Sequence, residues 1–205
     1  MEFSEVVRRR RMVRDYDPDR PVPPEILERI LANGLRAPSA GFSQGWAFLV
    51  LAKPDTERYW AAAAPAVDPK YAQWIEGLRR APVLVLAFAH KDTYLDRYAE
   101  PDKGVTDRDE SRWSAPYWYI DTGMAALLML QTVVDEGLGA CFFGVPADRI
   151  SPVRREFGVP EAYDPVGVIS IGYRAPDRPS PSLKRGRRTT AEVVHRGQWG
   201  RFDIT

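Results

Sequence analysis

The sequence is poor in the groups that usually announce a site. A single cysteine, Cys141, in 205 residues excludes an intramolecular disulfide framework. His90 and His195 are the only histidines, and with one thiol they are too few soft ligands for a typical zinc centre, so no metal is expected. This cysteine usage fits a reducing, cytoplasmic compartment. Neither sign of charge dominates: 29 Lys and Arg stand against 28 Asp and Glu, a formal net charge of +1. A protein that wraps a polyanion needs a large basic excess, so nucleic acid is not an expected partner. Long hydrophobic runs are also missing. The most apolar stretch, 124–130, stops at Gln131 and soon meets Asp135 and Glu136, whereas a membrane span needs about 20 apolar residues. No apolar segment follows the first arginines, so a signal peptide is not expected. Walker A, G-x-G-x-x-G and H-E-x-x-H sequences are all absent, and the one G-x-S-x-G string, residues 41–45, is not read as a nucleophile elbow, because it precedes a strand-like run instead of following one. An enzyme of this composition borrows its reactive group from a cofactor.

What is present reads as one α+β domain over residues 1–205. Hydrophobic residues make up 44% and charged residues 28%, a globular balance that excludes wholesale disorder. Residues 1–16 suggest a short amphipathic helix leading into a loop. Pro24 and Glu25 open a second helix whose apolar face is Ile26, Leu27, Ile30 and Leu31, and Pro38 ends it. Residues 46–52 read as a strand and 61–64 as part of a helix. The nearly continuous run 82–89, PVLVLAFA, predicts a strand buried on both faces. Residues 91–113 are charged and irregular, long for a loop, and suggest a lid or insertion. A core helix is expected over 117–136 and closed by Gly137 and Gly139. Strands at 140–145 and 165–173 flank a surface helix over 148–157. The proline- and arginine-rich tail, 174–205, lacks a period, but Trp199 and Phe202 suggest that it docks on a surface.

Three groups of residues could carry chemistry. Arg8, Arg9, Arg10, Arg11 and Arg14 cluster near the start. The ordinary reading is a solvated basic segment. The sharper one is a phosphate clamp in which Arg10 and Arg14 approach one anion, because guanidinium forks bind phosphate oxygens in pairs. Pro38, Ser39, Ala40 and Gly41, with Gln44, form a small-residue loop that lets backbone approach a flat ligand; alone it is only a turn. Residues 137–144, GLGACFFG, read as a helix stop followed by a strand, with Cys141 a structural thiol.

In order along the chain, these segments resemble the FMN-dependent nitroreductase family. Arg10-Arg11-Met12-Val13-Arg14-Asp15-Tyr16 is similar to its R-R-S-x-R-x-[FY] motif, and Ala37-Pro38-Ser39 through Gln44 and Trp46 to its A-P-S-x-x-N-x-Q-P-W motif. Gly137-Leu138-Gly139-Ala140-Cys141 resembles G-L-G-[ST]-C, Val168 to Tyr173 the last core strand, and Lys184 to His195 the closing R-[KR]-P-x-E-E-[VL]-V-H motif. The resemblance implies a nitroreductase-like α+β fold, with a central, mostly antiparallel sheet flanked by helices. It implies a homodimer with C-terminal tail exchange, FMN at the interface, and NADPH or NADH as electron donor. Carried over residue by residue, Arg10, Arg11, Met12 and Arg14 surround the phosphate and ribityl end. Arg187 or Arg188 adds a phosphate contact. Pro38, Ser39, Ala40 and Gly41 lie along the flavin ring, and Gln44 reaches the flavin or ribityl chain. The backbone at Phe143 and Gly144 donates to flavin N5, so no side chain is catalytic.

The implied activity is ping-pong electron transfer from NAD(P)H to a small nitroaromatic, quinone or similar acceptor. Three positions depart from the motifs: Met12 replaces a serine, Phe42 an asparagine and Gly45 a proline. Phe42 is expected in the substrate pocket. An aromatic there is similar to a flavin-fragmenting branch of the family, which keeps two alternatives open. These are specialised flavin chemistry (fragmentation, reductive dehalogenation or a biosynthetic dehydrogenation) and flavin binding without catalysis.

Overall fold

The apolar run expected as a doubly buried strand is β2 (Val83–His90), the second strand of an antiparallel sheet. The structure, a computed structural model, describes residues 1–104, 107–177 and 180–202; the parts of the expected lid and tail at 105–106, 178–179 and 203–205 lie outside them. β1 (Trp46–Ala52), β3 (Gly139–Phe143) and β4 (Tyr163–Gly172) complete the sheet in the order β1-β2-β4-β3. One row of the register runs Leu49, Leu86, Val168, Phe143 across all four strands. β1 and β3 are therefore the two outer strands.

Alternation along the strands feeds two cores. Leu84, Leu86 and Phe88 point to one face, where they meet Trp60 of α3 (Asp55–Ala63), Leu78 of α4 (Ala72–Arg79) and Val153 of α7 (Ile150–Phe157). Val83 and Val85 point to the other, against Ile30 of α2 (Pro24–Gly34) and Ala126, Met129 and Val133 of α6 (Tyr117–Asp135). The helix α6 is the expected core helix. A Cβ on Gly34 would collide with the Met129 side chain, so the glycine sets how closely α2 lies on α6. Cys141 belongs to the first core, and burial pushes its thiol up to about 11, which suits a structural side chain.

Several expectations are corrected. Residues 91–113 are not wholly irregular: they begin with α5 (Lys91–Tyr98), followed by short 3-10 turns at Pro101–Lys103 and Glu110–Arg112. Only Tyr94 and Leu95 of α5 are buried, too little apolar surface to leave a helical period. The helix α4 carries no cap and was not foreseen. Gly137, at φ +77°, ends α6, whereas Gly139 opens β3. β3 stops at Phe143, short of the expected Val145.

The segment after α1 (Phe3–Arg9) docks along the outer edge of β3. Met12 bridges Ala140 in parallel, and the Val13 N–H donates to Ala140 O at 2.8 Å. Tyr16 then bridges Arg174 just beyond β4. Its side chain is fully buried, and its hydroxyl lies 2.8 Å from both Val13 O and Ser170 Oγ. Burial raises its pKa, so the phenol stays protonated and donates. Tyr16→Phe leaves buried acceptors unmatched and is expected to cost about 1–3 kcal/mol, read as a lower denaturant midpoint at unchanged m-value.

Candidate functional site

The arginine arm leaves α1 at Arg10, whose backbone turns extended (φ −60°, ψ 117°). Side chains alternate along an extended segment. Arg11 and Val13 share a small cleft with Gly139 and Arg174, which puts Arg10, Met12 and Arg14 on the other side. Arg11 is already matched: its Nη1 lies 2.5 Å from Asp177 Oδ1. The Asp177 side chain is 3% exposed, and its second oxygen accepts the Arg14 N–H at 3.0 Å. Asp177 therefore fixes the backbone of the arm while Arg11 balances its charge. Arg14 Nη1 donates to Met12 O at 3.1 Å, which curls the side chain back along the arm. Arg10 has no ion-pair partner among the described residues. The backbone of Arg14 is also pressed from outside, because a Cβ on Gly77 of α4 would collide with Arg14 O. Met12 carries no hydroxyl; its sulfur packs against both cores and accepts the Phe142 N–H at 3.3 Å.

Phe143 and Gly144 lie on the same edge of the sheet as the arm. The Phe143 ring is buried and stacks on Trp60 at 5.7 Å with 13° between planes. Gly144 is exposed, and a Cβ there would meet nothing within 4 Å. Backbone rather than side chain is what this strand end offers a ligand.

Residues 38–44 form the second group, just before β1. Ser39 Oγ accepts the Gln44 N–H at 3.0 Å. The Ala40 N–H donates to Asp121 Oδ2 at 2.8 Å, and the Tyr94 hydroxyl donates to the same oxygen at 2.9 Å. Asp121 is buried in α6, so one carboxylate ties the loop, α5 and α6 together. Burial, then Asp121 itself, raises the Tyr94 pKa. Arg97 Nε donates to Gly41 O at 3.0 Å. Gly41, Phe42 and Gln44 all have positive φ, at 60°, 56° and 53°. Left-handed backbone at two non-glycine residues costs of order 1–3 kcal/mol each, and such strain gathers at ligand-binding loops. Phe42 is 74% exposed and Gln44 is exposed.

Arg10, Arg11, Met12 and Arg14 share the β3 edge of the sheet with Phe143 and Gly144; the arm bridges the strand at Ala140, and Met12 is the arm residue that bonds nearest its far end, at the Phe142 N–H. The structure does not bring Pro38, Ser39, Ala40, Gly41, Phe42 and Gln44 to them, because β1 and β3 are opposite edges of the sheet. Three interstrand spacings, about 14 Å, separate those edges. Arg187 and Arg188 form a third group in the exposed tail, beside the short α8 (Thr190–Val193). Arg188 Nη2 donates to Glu192 O at 2.8 Å. The tail aromatics cluster on His195, with ring centroids at 4.0 Å for Trp199 and 4.7 Å for Phe202, yet Trp199 is 86% exposed. Sequence reasoning missed Asp177, Asp121, Tyr94 and Gly77. No local motif marks them, since each acts on a residue far away in sequence.

Comparison with known proteins identifies the family. The family model described as the nitroreductase family matches residues 7–173. A Methanothermobacter thermautotrophicus protein, whose assigned name pairs NADH dehydrogenase with NAD(P)H nitroreductase, is 29% identical over 177 residues, covering 85% of this chain and 78% of its own. A Thermus thermophilus NADH dehydrogenase is 28% identical over 188 residues, covering 82% and 84%. Among solved structures, a Desulfovibrio desulfuricans protein described as a nitroreductase in complex with FMN superposes with a TM-score of 0.71 at 21% identity, covering 97% of this chain and 98% of that one. A Clostridium novyi nitroreductase family protein gives 0.65 at 20% identity, covering 98% and 97%. The chain belongs to the nitroreductase family, a family of oxidoreductases.

Proposed function

We propose that the chain is an FMN-dependent oxidoreductase, working as a homodimer, that moves electrons from NADH or NADPH to a small electron-poor acceptor such as a nitroaromatic or quinone. One observation carries the reading: the cofactor-binding residues stand on opposite edges of one sheet. A ligand that touches both groups takes the arm of one copy and the loop of a second. The surface supports a partner copy. Ile120 and Leu127 on α6 are 44% and 45% exposed, with Met124 between them at helical spacing. Among the described residues this apolar stripe on the central helix is only partly covered. The tail, with Leu183, Val193 and Trp199 exposed, is similarly unburied and suits an embrace of the second copy.

The residues present fit FMN. Arg10 and Arg14 answer the phosphate, which carries about two negative charges, and Arg187 or Arg188 of the tail adds a further guanidinium. Asp177 takes up Arg11 and holds the arm in place. The strained 39–44 backbone offers a flat, small-residue wall to a ring. The open Gly144 backbone can donate a hydrogen bond at the reacting edge. When bound, FMN supplies a two-electron carrier that accepts hydride from the nicotinamide and then reduces the second substrate. Because no side chain is asked to transfer a proton in the first half, this chain's contribution is binding and orientation. The helix α5 stands beside the loop through Arg97 and Tyr94, as part of a lid over the acceptor would. Phe42, projecting from strained backbone, favours a second reading in which the same flavin site performs fragmentation, dehalogenation or dehydrogenation.

Arg14→Ala removes the guanidinium but keeps the backbone bond to Asp177. It is expected to weaken FMN binding by about 1.5–3 kcal/mol, measured by fluorescence titration. Unchanged affinity would place the clamp elsewhere. Ile120→Asp with Leu127→Asp is expected to give monomers by light scattering that no longer retain FMN; monomers that keep it would sink the shared site. Anaerobic mixing of the FMN-loaded protein with NADPH or NADH tests the activity. Rapid bleaching, reversed by a nitroaromatic or quinone, is expected, whereas bound flavin that no nicotinamide reduces favours the second reading or a non-catalytic one.

A further inference from the structure

Beside the 38–44 loop lies a cavity of about 390 Å³, with Ala40 in its wall and three electron-rich rings around it: Tyr98, Trp113 and Tyr117. Trp113 stands at the centre, 4.6 Å from the Tyr98 ring and 5.8 Å from the Tyr117 ring, inclined to them by 62° and 55°. The rings pack on one another at inclined, partly edge-to-face angles, and all three contribute to the cavity wall, where exposed ring face carries the negative side of the π quadrupole. One of them already holds a cation: Lys103 Nζ sits 5.1 Å from the Tyr98 centroid.

The charges at the rim act in the same direction. Arg108 and Arg112 line the cavity, but neither guanidinium is uncommitted. Arg108 is shared between Asp92 at 2.7 Å and Asp96 at 2.9 Å. Arg112 is matched to Asp107 at 2.7 Å. Asp109, also in the lining, accepts from the Ser111 amide and hydroxyl and forms no ion pair among the described residues. Asp107 and Asp109 in the lining, with Asp92 and Asp96 behind Arg108, thus stand against the cations Arg108, Arg112 and Lys103, a small negative excess beside an aromatic wall. An anionic ligand would find only Lys103 without an ion-pair partner among the described residues, while an organic cation would gain both the ring surfaces and the residual negative field.

We propose that this cavity binds an organic cation whose charge sits on an alkylated nitrogen carried by an aromatic body. The volume suits such a molecule, and the shared Ala40 places its edge beside the loop assigned to the flavin. The cavity is built within one chain and does not require FMN to be present.

The test uses two isosteric probes, phenyltrimethylammonium and tert-butylbenzene, and an anion built on the same body, 4-tert-butylbenzoate. Each is titrated against the full-length protein by tryptophan fluorescence, both as purified and after saturation with FMN. Phenyltrimethylammonium is expected to bind saturably and about 3- to 30-fold tighter than tert-butylbenzene, the range of a desolvated cation–π contact. The carboxylate is expected to bind weakest. Asp109→Asn, which keeps an acceptor for Ser111, should weaken the cation and leave the neutral probe unchanged. Tyr117→Ala, at an exposed position, should weaken the cation several-fold; it carries the ring test if Trp113→Ala, which removes packing on Tyr94 and Trp118, does not fold. Equal affinities for cation and neutral probe, or a tighter carboxylate, overturn the proposal. Failure to retain FMN would count against the flavin reading alone, because the cation titration is read without it.

Discussion

Val13 donates to Ala140 and Tyr16 reaches across to Ser170, and these two contacts decide where the arginine arm lies. Together they place a parallel segment along β3, a strand whose outer side would otherwise offer unpaired donors and acceptors to any passing chain. The same contacts fix the direction of every side chain from Arg10 to Arg14. Asp177 completes the clasp by accepting the Arg14 amide and neutralising Arg11. A ligand-binding arm is usually a mobile element. Here it is held by backbone pairing, a buried phenol and a nearly buried carboxylate, so a phosphate would meet guanidiniums whose backbone is already ordered. Less entropy is then lost on binding.

The second half of the site is built on different principles. The 38–44 loop has left-handed backbone at three positions and is held down by hydrogen bonds that converge on Asp121 and Ser39. A single carboxylate with two donors in a buried setting is an expensive anchor, tolerated because both donors satisfy it. Where the arm is held by isolated bridges, a buried phenol and Asp177, the strained loop is held by bonds to α5 and α6.

Much of the fold was legible in the sequence. The run 82–89 announced a strand with two covered faces because eight consecutive positions lack a polar residue, and 117–136 announced a helix because its apolar content outlasts any strand. The helices α4 and α5 were not legible: both are only eight residues long, α5 is half charged, and α4 offers just Trp74, Ile75 and Leu78 as an apolar face. For the site, the ordered motifs singled out Arg10, Met12, Arg14, Ser39 and Gly144 as a set. They did not reveal that the set is split between two sheet edges, since strand order is a property of pairing between distant segments. Asp177 and Asp121 stayed hidden for the same reason: each is one acidic residue among 28, distinguished only by what folds against it.

The docking of the arm also has a consequence for biosynthesis. Residues 12–16 leave the ribosome well before their partners Ala140, Ser170 and Arg174, so the arm must wait for those segments to be made. Contacts this far apart in sequence close late in folding. The nascent protein therefore carries an undocked basic arm until β3 and β4 have paired. Any cofactor that needs the arm is acquired by a chain that has already formed its sheet.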